Sequence, residues 1–592
     1  MSGTSSAIES AKLGGSESES SQLKIASEKT DWLSRLSEWL GEWCSSILVK
    51  ETRQALKSRQ FIWTYLVLLF SVGVWTVLGI SISNDRYQLG KELLLGYWYI
   101  LGFPLGLIIP FTAYRSMARE FEDGTISLMS ITTMKPYQII AGKFGSALLQ
   151  MMIYLSVLAP CICFTYLLRG ISVDDILLGL MISVGGSICL ITLGLFLAGV
   201  FRSRTLGVGV SVLFVLFLGW LYFGWCIIIY EQSRYGGGLE WDSPQFVVVF
   251  YTIVAFFGST AVLLLVTAAS QISFASDNRS TWIRVVMFVQ QILFFAFLAM
   301  ILPMMNGFGD EEMWSMVLFA GHYWLILGLL MIGESSVLSR RVQRALPRTT
   351  QSRSWLSLFM PGSGRGFLFA IANLWTCLLV IFLVGLFSKY LISQVLMEQL
   401  QNAWGGRIAP GVTVTVESVF SGIVSCFYVT WFLALFYLIN RIFLDKRKLV
   451  WSTGVGPTVS LLLGGIFVAL LSIGSGILHF SYFYDYRNET FSPFTAVNWY
   501  LTSYAIVDGS LGWSPSPMIA LLTFVSFAAF FLQAIVVIVI AVALSSKELL
   551  VKPIEVPDRV KIEHNKNSQK RALPKGESIN EIFGELKPKA KE

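Results

Sequence analysis

The residues of this chain best placed to do chemistry lie in one short charged stretch between two long apolar runs. It reads Arg119-Glu120-Phe121-Glu122-Asp123-Gly124-Thr125-Ile126-Ser127-Leu128-Met129-Ser130 and continues to Ile139-Ile140-Ala141-Gly142-Lys143. The acidic cluster ends one helix, Gly124 permits a turn, and Thr125 is placed to cap a new short helix. Ile126, Leu128, Met129 and Ile131 give that helix an apolar side able to enter a groove on a soluble partner. Pro136 suits the first turn of the following helix. The chemistry implied is docking, with the apolar side inserting into a partner. Without a partner, Arg119, Glu120 and Glu122 read as a solvated helix end.

Other constellations fall away on inspection. Of Cys44, Cys161, Cys163, Cys189, Cys226, Cys377 and Cys426, all but the first lie in apolar runs, where cysteine behaves as a small hydrophobe. There is no CxxC pair, and His322, His479 and His564 stand singly, so neither a disulfide framework nor a metal site is supported. Asp, Glu, Lys and Arg are absent from the interiors of the apolar runs. Gradient-driven carriers usually need ionisable groups at membrane depth, and a membrane enzyme needs an acid, base or nucleophile. His322, inside one run, reads as packing. Uphill movement of a substrate would therefore draw its energy from outside the membrane.

The elements that must position the charged stretch are the runs themselves. The chain has 592 residues, 54% hydrophobic and only 14% charged, with mean hydropathy +0.65, whereas a soluble chain carries about a quarter charged residues. A spanning helix needs about 20 apolar residues, and about twelve such runs occur: Phe61–Ile82, Leu94–Tyr114, Phe144–Leu168, Ile176–Phe201, Leu206–Tyr230, Phe246–Ala269, Val285–Met305, Trp314–Met331, Phe367–Leu386, Val419–Leu438, Thr458–Leu478 and Met518–Leu544. The expected fold is an all-α polytopic bundle. Placing both termini in the cytoplasm puts Arg115, Arg119, Lys135, Lys143, Arg202, Arg204, Arg279, Arg284, the Arg340–Arg353 cluster, and Arg441 with Lys446–Lys448 inside. Far fewer, including Arg86, Lys91, Arg169 and Arg234, then lie outside, as the positive-inside bias requires. The net charge of +7 sits between the runs rather than on one soluble face, so no nucleic-acid partner is expected.

Residues 1–30 and 547–592, rich in Ser, Glu, Lys and Pro, read as disordered cytoplasmic tails. Within 31–60, Trp32, Leu33, Leu36, Trp39, Leu40 and Trp43 recur at helical spacing and suit the headgroup region. Ile47–Arg59 then alternates apolar and basic groups, as an interfacial helix would, with its charges reaching lipid headgroups. Arg340–Arg353 followed by Pro361-Gly-Ser-Gly-Arg-Gly366 reads as a hinge between earlier and later helix groups, its charge matching positive-inside bias. The aromatic loop His479–Pro517 suits an interfacial belt.

With these pieces in order, the chain resembles the ABC-2-type permeases, the membrane subunits of type-2 ABC exporters. Glu120, Glu122, Gly124, Thr125, Leu128, Thr132, Pro136, Ile139, Ile140, Gly142 and Lys143 fall into the family pattern, and Leu48–Leu56, with Lys50, Glu51 and Arg53, looks like its interfacial connecting helix. The resemblance covers Leu48 to Ser270. It implies a six-span permease core over 61–270, an ATPase-coupling role for Arg119, Glu120, Glu122, Gly124, Thr125, Leu128 and Met129, two permease units (homo- or heterodimer), and placement in the plasma or bacterial inner membrane. Thr133 stands where the family often has proline, and the spans of 271–546 carry no such motif and are no obvious second permease copy. The pattern GxxxxGK[ST] is absent, and Gly362-Ser-Gly-Arg-Gly366 lacks its Lys and spacing. ATP and Mg are thus assigned to a separate nucleotide-binding subunit, and no cofactor or catalytic site to this chain. A gradient-driven carrier or channel, or a non-transporting membrane scaffold or assembly factor, is the alternative.

Overall fold

The computed structural model describes residues 46–82, 89–126, 128, 134–167, 171–200, 204–235, 244–274, 277–301, 310–334, 338–344, 346, 349–391, 416–445, 455–482, 494–507 and 517–551. The tryptophan-rich segment 31–44, Met129 and both tails lie outside the described residues. Among those described, every regular element is helical. Twelve helices are long and apolar enough to cross a membrane, which makes this an integral multi-pass membrane protein. Spans 1 to 6 are Arg59–Ile82, Leu89–Phe103 continuing to Glu122, Pro136–Leu167, Val173–Val200, Arg204–Tyr235 and Pro244–Ile272. Spans 7 to 12 are Thr281–Ile301, Asp310–Ile332, Ser363–Leu391, Val416–Ile439, Val455–Tyr482 and Pro517–Leu549.

Span 2 is not a plain α-helix. Proline removes a backbone donor and crowds the preceding turn, and Pro104 is absorbed by one π-helical turn, Pro104–Ile108, before the α-helix resumes at Ile109. Such wide turns keep a helix continuous while shifting its register. As a result Ile109, Ala113, Tyr114 and Met117 all face the interior.

Two apolar cores organise the chain. The first runs from Ile47 to Ile272 and gathers spans 1 to 6 around span 2. The second runs from Leu263 to Ala541 and gathers spans 7 to 12 around spans 8 and 10. Aromatic rings knit the second: Phe367 stacks on Tyr437 at 5.2 Å and Phe427 on Phe531 at 4.7 Å, the offset geometry aromatic pairs favour. The cores meet along spans 6 and 7, where the Gln290 amide donates to Ser259 and Thr260 at 3.2 Å and accepts from the Tyr323 hydroxyl at 2.7 Å. Spans 1, 5, 6 and 11 turn most of their side chains outward, where a hydrocarbon solvent would meet them.

Small residues set how closely spans approach, as expected where lipid gives no hydrophobic drive between helices. A Cβ at Gly366 would stand 2.6 Å from Met331 Cβ and 3.0 Å from its carbonyl oxygen, whereas one at Gly465 meets nothing within 4 Å. Gly366→Ala should therefore cost about 1–3 kcal/mol through overpacking. Thermal unfolding in detergent should show a lower Tm for Gly366→Ala and an unchanged or slightly raised one for Gly465→Ala. Equal behaviour of the two would argue against the close crossing of spans 8 and 9.

Candidate functional site

The charged stretch sits at one end of the first six-span core, and its position depends on the helix that precedes the spans. Ser46–Leu56 forms as a helix and lies along span 3. It comes close because Gly142 and Gly145 offer no side chains. A Cβ at Gly142 would be 2.9 Å from Ile47 Cγ2 and 3.2 Å from the Leu48 nitrogen, and one at Gly145 would be 2.9 Å from Leu48 Cδ1. One turn further on, Glu51 faces Lys143.

Lys143 is the centre of the site. Its side chain is only 2% exposed, and its ammonium lies 3.2 Å from Glu51 Oε1, 2.9 Å from Glu120 Oε1 and 2.8 Å from Ser116 Oγ. An ammonium has three donors and no acceptor, and all three are engaged. The Ser116 hydroxyl in turn donates to Glu51 Oε2 at 3.1 Å. The ends of spans 2 and 3 and the connecting helix thus converge on one nitrogen atom. Such a buried cluster brings little net stability but is costly to break, because the groups left behind stay desolvated.

The turn after span 2 follows from this anchor. The Asp123 amide donates to the Arg119 carbonyl at 2.8 Å and that of Gly124 to Phe121 at 3.4 Å. Gly124 adopts φ +67°, the left-handed conformation that closes helices and favours glycine. Thr125 stands at the start of a new helical segment, as expected, with Thr125, Ile126 and Leu128 all helical, and its hydroxyl donates back to the Glu120 carbonyl at 3.2 Å, tying that start to the end of span 2. Ile126 turns into the first core. Glu120 is committed to Lys143, whereas Arg119, Glu122 and Leu128 face outward, Leu128 at 66% exposure. On the connecting helix Glu51 is buried while Lys50 and Arg53 are exposed. The outward set of Arg119, Glu122 and Leu128 is what remains free to meet another molecule; Met129 lies outside the described residues.

A second buried charge cluster, not foreseen in the sequence, lies in the other core. Arg284 at the start of span 7 is fully buried and donates to Glu334 Oε2 at 2.7 Å, to the Leu358 carbonyl at 2.6 Å and to the carbonyls of Met360 and Gly362. Glu334 also accepts from the Gly362 amide at 2.9 Å. Glu548, closing span 12, accepts from the Gly364 amide at 2.9 Å, the Tyr437 hydroxyl at 3.2 Å and Arg441 at 3.3 Å, while Arg365 donates to its backbone carbonyl at 2.8 Å. The carboxylate thereby caps the amino end of span 9, where helix termini favour negative charge. The Pro361–Gly366 segment, expected to be a hinge between helix groups, instead joins spans 8 and 9 within one core and is held by these bonds. Only the placement of opposite charges at the ends of apolar runs hinted at this cluster, since the partners are far apart in sequence.

His322 packs as expected, with a polar complement: its ring stacks on Trp499 at 4.7 Å, and its nitrogens meet the Leu318 carbonyl at 2.7 Å and the Tyr500 hydroxyl. Among the described residues there is no grouping of His, Cys, Asp and Glu able to hold a metal. Comparison with protein-family models, with curated proteins and with solved structures gives no match.

Lys143→Met strands two buried carboxylates and should destabilise the protein by about 3–5 kcal/mol. Adding Glu51→Gln to that variant should recover part of the loss in detergent melting curves. A single variant as stable as the parent would show that the three helices do not depend on the ammonium.

Proposed function

We propose that this chain is the membrane-spanning permease of an ATP-driven exporter, working with a separate ATPase subunit that binds ATP and Mg. The observation that carries the reading is the mechanical setting of the charged turn. An outward-facing surface of Arg119, Glu122 and Leu128 is bonded through Glu120 and Lys143 to two spans and, through Glu51, to the connecting helix. A soluble subunit that moved this surface would move all three helices together, as rigid elements shift in transport cycles. In this reading the face holding the turn is cytoplasmic, as are both termini, and the membrane is the plasma or bacterial inner membrane.

The parts then divide by task. Leu128 inserts into the ATPase groove, Glu122 and Arg119 set its orientation, and Lys143 transmits the displacement without touching the partner. Apolar and hydroxylated helix surfaces line whatever path the substrate takes, and the energy for uphill movement enters at the turn. The absence of charged groups from the apolar interiors of the runs favours an external energy source over an ion gradient.

Tagged protein purified in mild detergent should bring with it a soluble ATPase bearing a GxxxxGK[ST] loop, identified by mass spectrometry. Leu128→Asp and Glu122→Ala should each reduce the recovered ATPase several-fold while leaving the Tm unchanged, because both side chains are exposed. Repeated preparations free of any ATPase would overturn the reading and favour a carrier or a scaffold.

A further inference from the structure

The helix pairings within the two cores repeat in order. In the first core span 2 packs on spans 3, 4 and 5, span 3 on spans 4 and 6, span 4 on span 6, and span 1 on span 3. In the second core span 8 packs on spans 9, 10 and 11, span 9 on spans 10 and 12, span 10 on span 12, and span 7 on span 9. Adding six to every number of the first set gives the second. The remaining pair, spans 1 and 2, joined by Trp75 donating to the Leu93 carbonyl at 3.1 Å, has a side-chain counterpart in spans 7 and 8. There Tyr323 donates to Gln290, and Phe294 lies 6.1 Å from Phe319.

The two sets also point the same way. The buried clusters lie at corresponding ends: Glu120 finishes span 2 and Lys143 starts span 3, while Glu334 follows span 8 and Arg365 starts span 9. The turn between spans 6 and 7 touches the connection between spans 8 and 9, through Arg341 to Asp277 and Thr281 to the Phe359 carbonyl. Unrelated six-helix bundles have no reason to share seven of eight helix pairings in sequence order and in one orientation; parallel repeats are a known way to build a transporter from one unit.

We infer that spans 7–12 are a second copy of the permease unit, and that their 8–9 connection is a second docking surface for the ATPase proposed above. One chain would then supply both halves of the transporter, with no second permease subunit. The inference rests on the exporter reading. What corresponds to the exposed Leu128 is the pair Trp355 and Leu356, 73% and 54% exposed on the helix Thr350–Leu356. That connection is held firmly, since Arg284 grips the carbonyls of Leu358 and Met360 just beyond it. The occupant is assigned from the repeat: the same position relative to the same helices takes the same partner. Sequence likeness does not reveal the copy because the second unit replaces the Glu-Gly-Thr turn and connecting helix with the arginine-held segment.

The test is the mass of the intact complex, measured by native mass spectrometry on full-length protein in detergent, with three variants. The expected result is one chain with two ATPase subunits. Leu128→Asp should leave one ATPase bound, Trp355→Glu with Leu356→Glu should leave one, and the combined variant none, with Tm values unchanged throughout. Two chains with two ATPases, or one chain with one, would overturn the inference while leaving the exporter reading intact. Two ATPases retained by the Trp355/Leu356 variant would also overturn it and assign those side chains to the lipid headgroups. No ATPase in any preparation would sink the exporter reading itself, and the second docking surface with it.

Discussion

A lysine ammonium buried at the end of a membrane helix is tolerable only when every one of its protons has an acceptor. Lys143 meets that condition by drawing acceptors from three different pieces of chain: Glu51, Glu120 and Ser116. Much of the first core's geometry follows from this requirement. The connecting helix has to lie against span 3 for Glu51 to reach, and Gly142 and Gly145 make room for it. Span 2 has to present Glu120 and Ser116 on one face, and the π-helical turn at Pro104–Ile108 sets the phase of the helix leading to them. The turn at Gly124 then begins from a fixed point.

The second core meets the same physical problem with different residues. Arg284 and Arg365 bring planar guanidinium groups, which distribute their donors over several backbone carbonyls rather than converging on one point. Their partners, Glu334 and Glu548, also accept from backbone amides at Gly362 and Gly364, so loop and helix ends are fastened together. A Cβ at Gly364 would lie 2.7 Å from the Glu548 carboxyl, so glycine is what allows that contact. Between these anchors the spans associate through aromatic stacking and close glycine crossings.

The sequence made the spans legible because twelve uninterrupted apolar runs have few other uses. It also made the turn legible, since acidic residues, glycine and a following proline each carry a local conformational preference. A helix over Ser46–Leu56 could be read from its alternating apolar and basic groups. What could not be read was pairing: nothing local in Glu120 says it turns inward to Lys143 while Glu122 stays outside. The register depends on the π-helical turn, which a pattern of 3.6 residues per turn does not contain. Thr125 does start a helical segment after the Gly124 turn, but the backward bond from its hydroxyl to the Glu120 carbonyl has no signature in the sequence. The Pro361–Gly366 segment read as a hinge from its composition, yet Arg284, Glu334 and Glu548 hold it from spans distant in sequence. The ordered repetition of helix neighbours was invisible for a related reason: packing relations recur without the residues that make them recurring.

The bond between Glu120 and Lys143 also bears on how the chain enters the bilayer during synthesis. A lone lysine in the hydrocarbon centre of an inserting helix carries a penalty of about 2.5–3.5 kcal/mol, falling toward the interface. Span 2, with Glu120 at its trailing end, emerges from the ribosome before span 3, so a counter-charge is waiting when Lys143 arrives. Pairing Glu120 with Lys143 thus favours insertion of the two spans together as a hairpin.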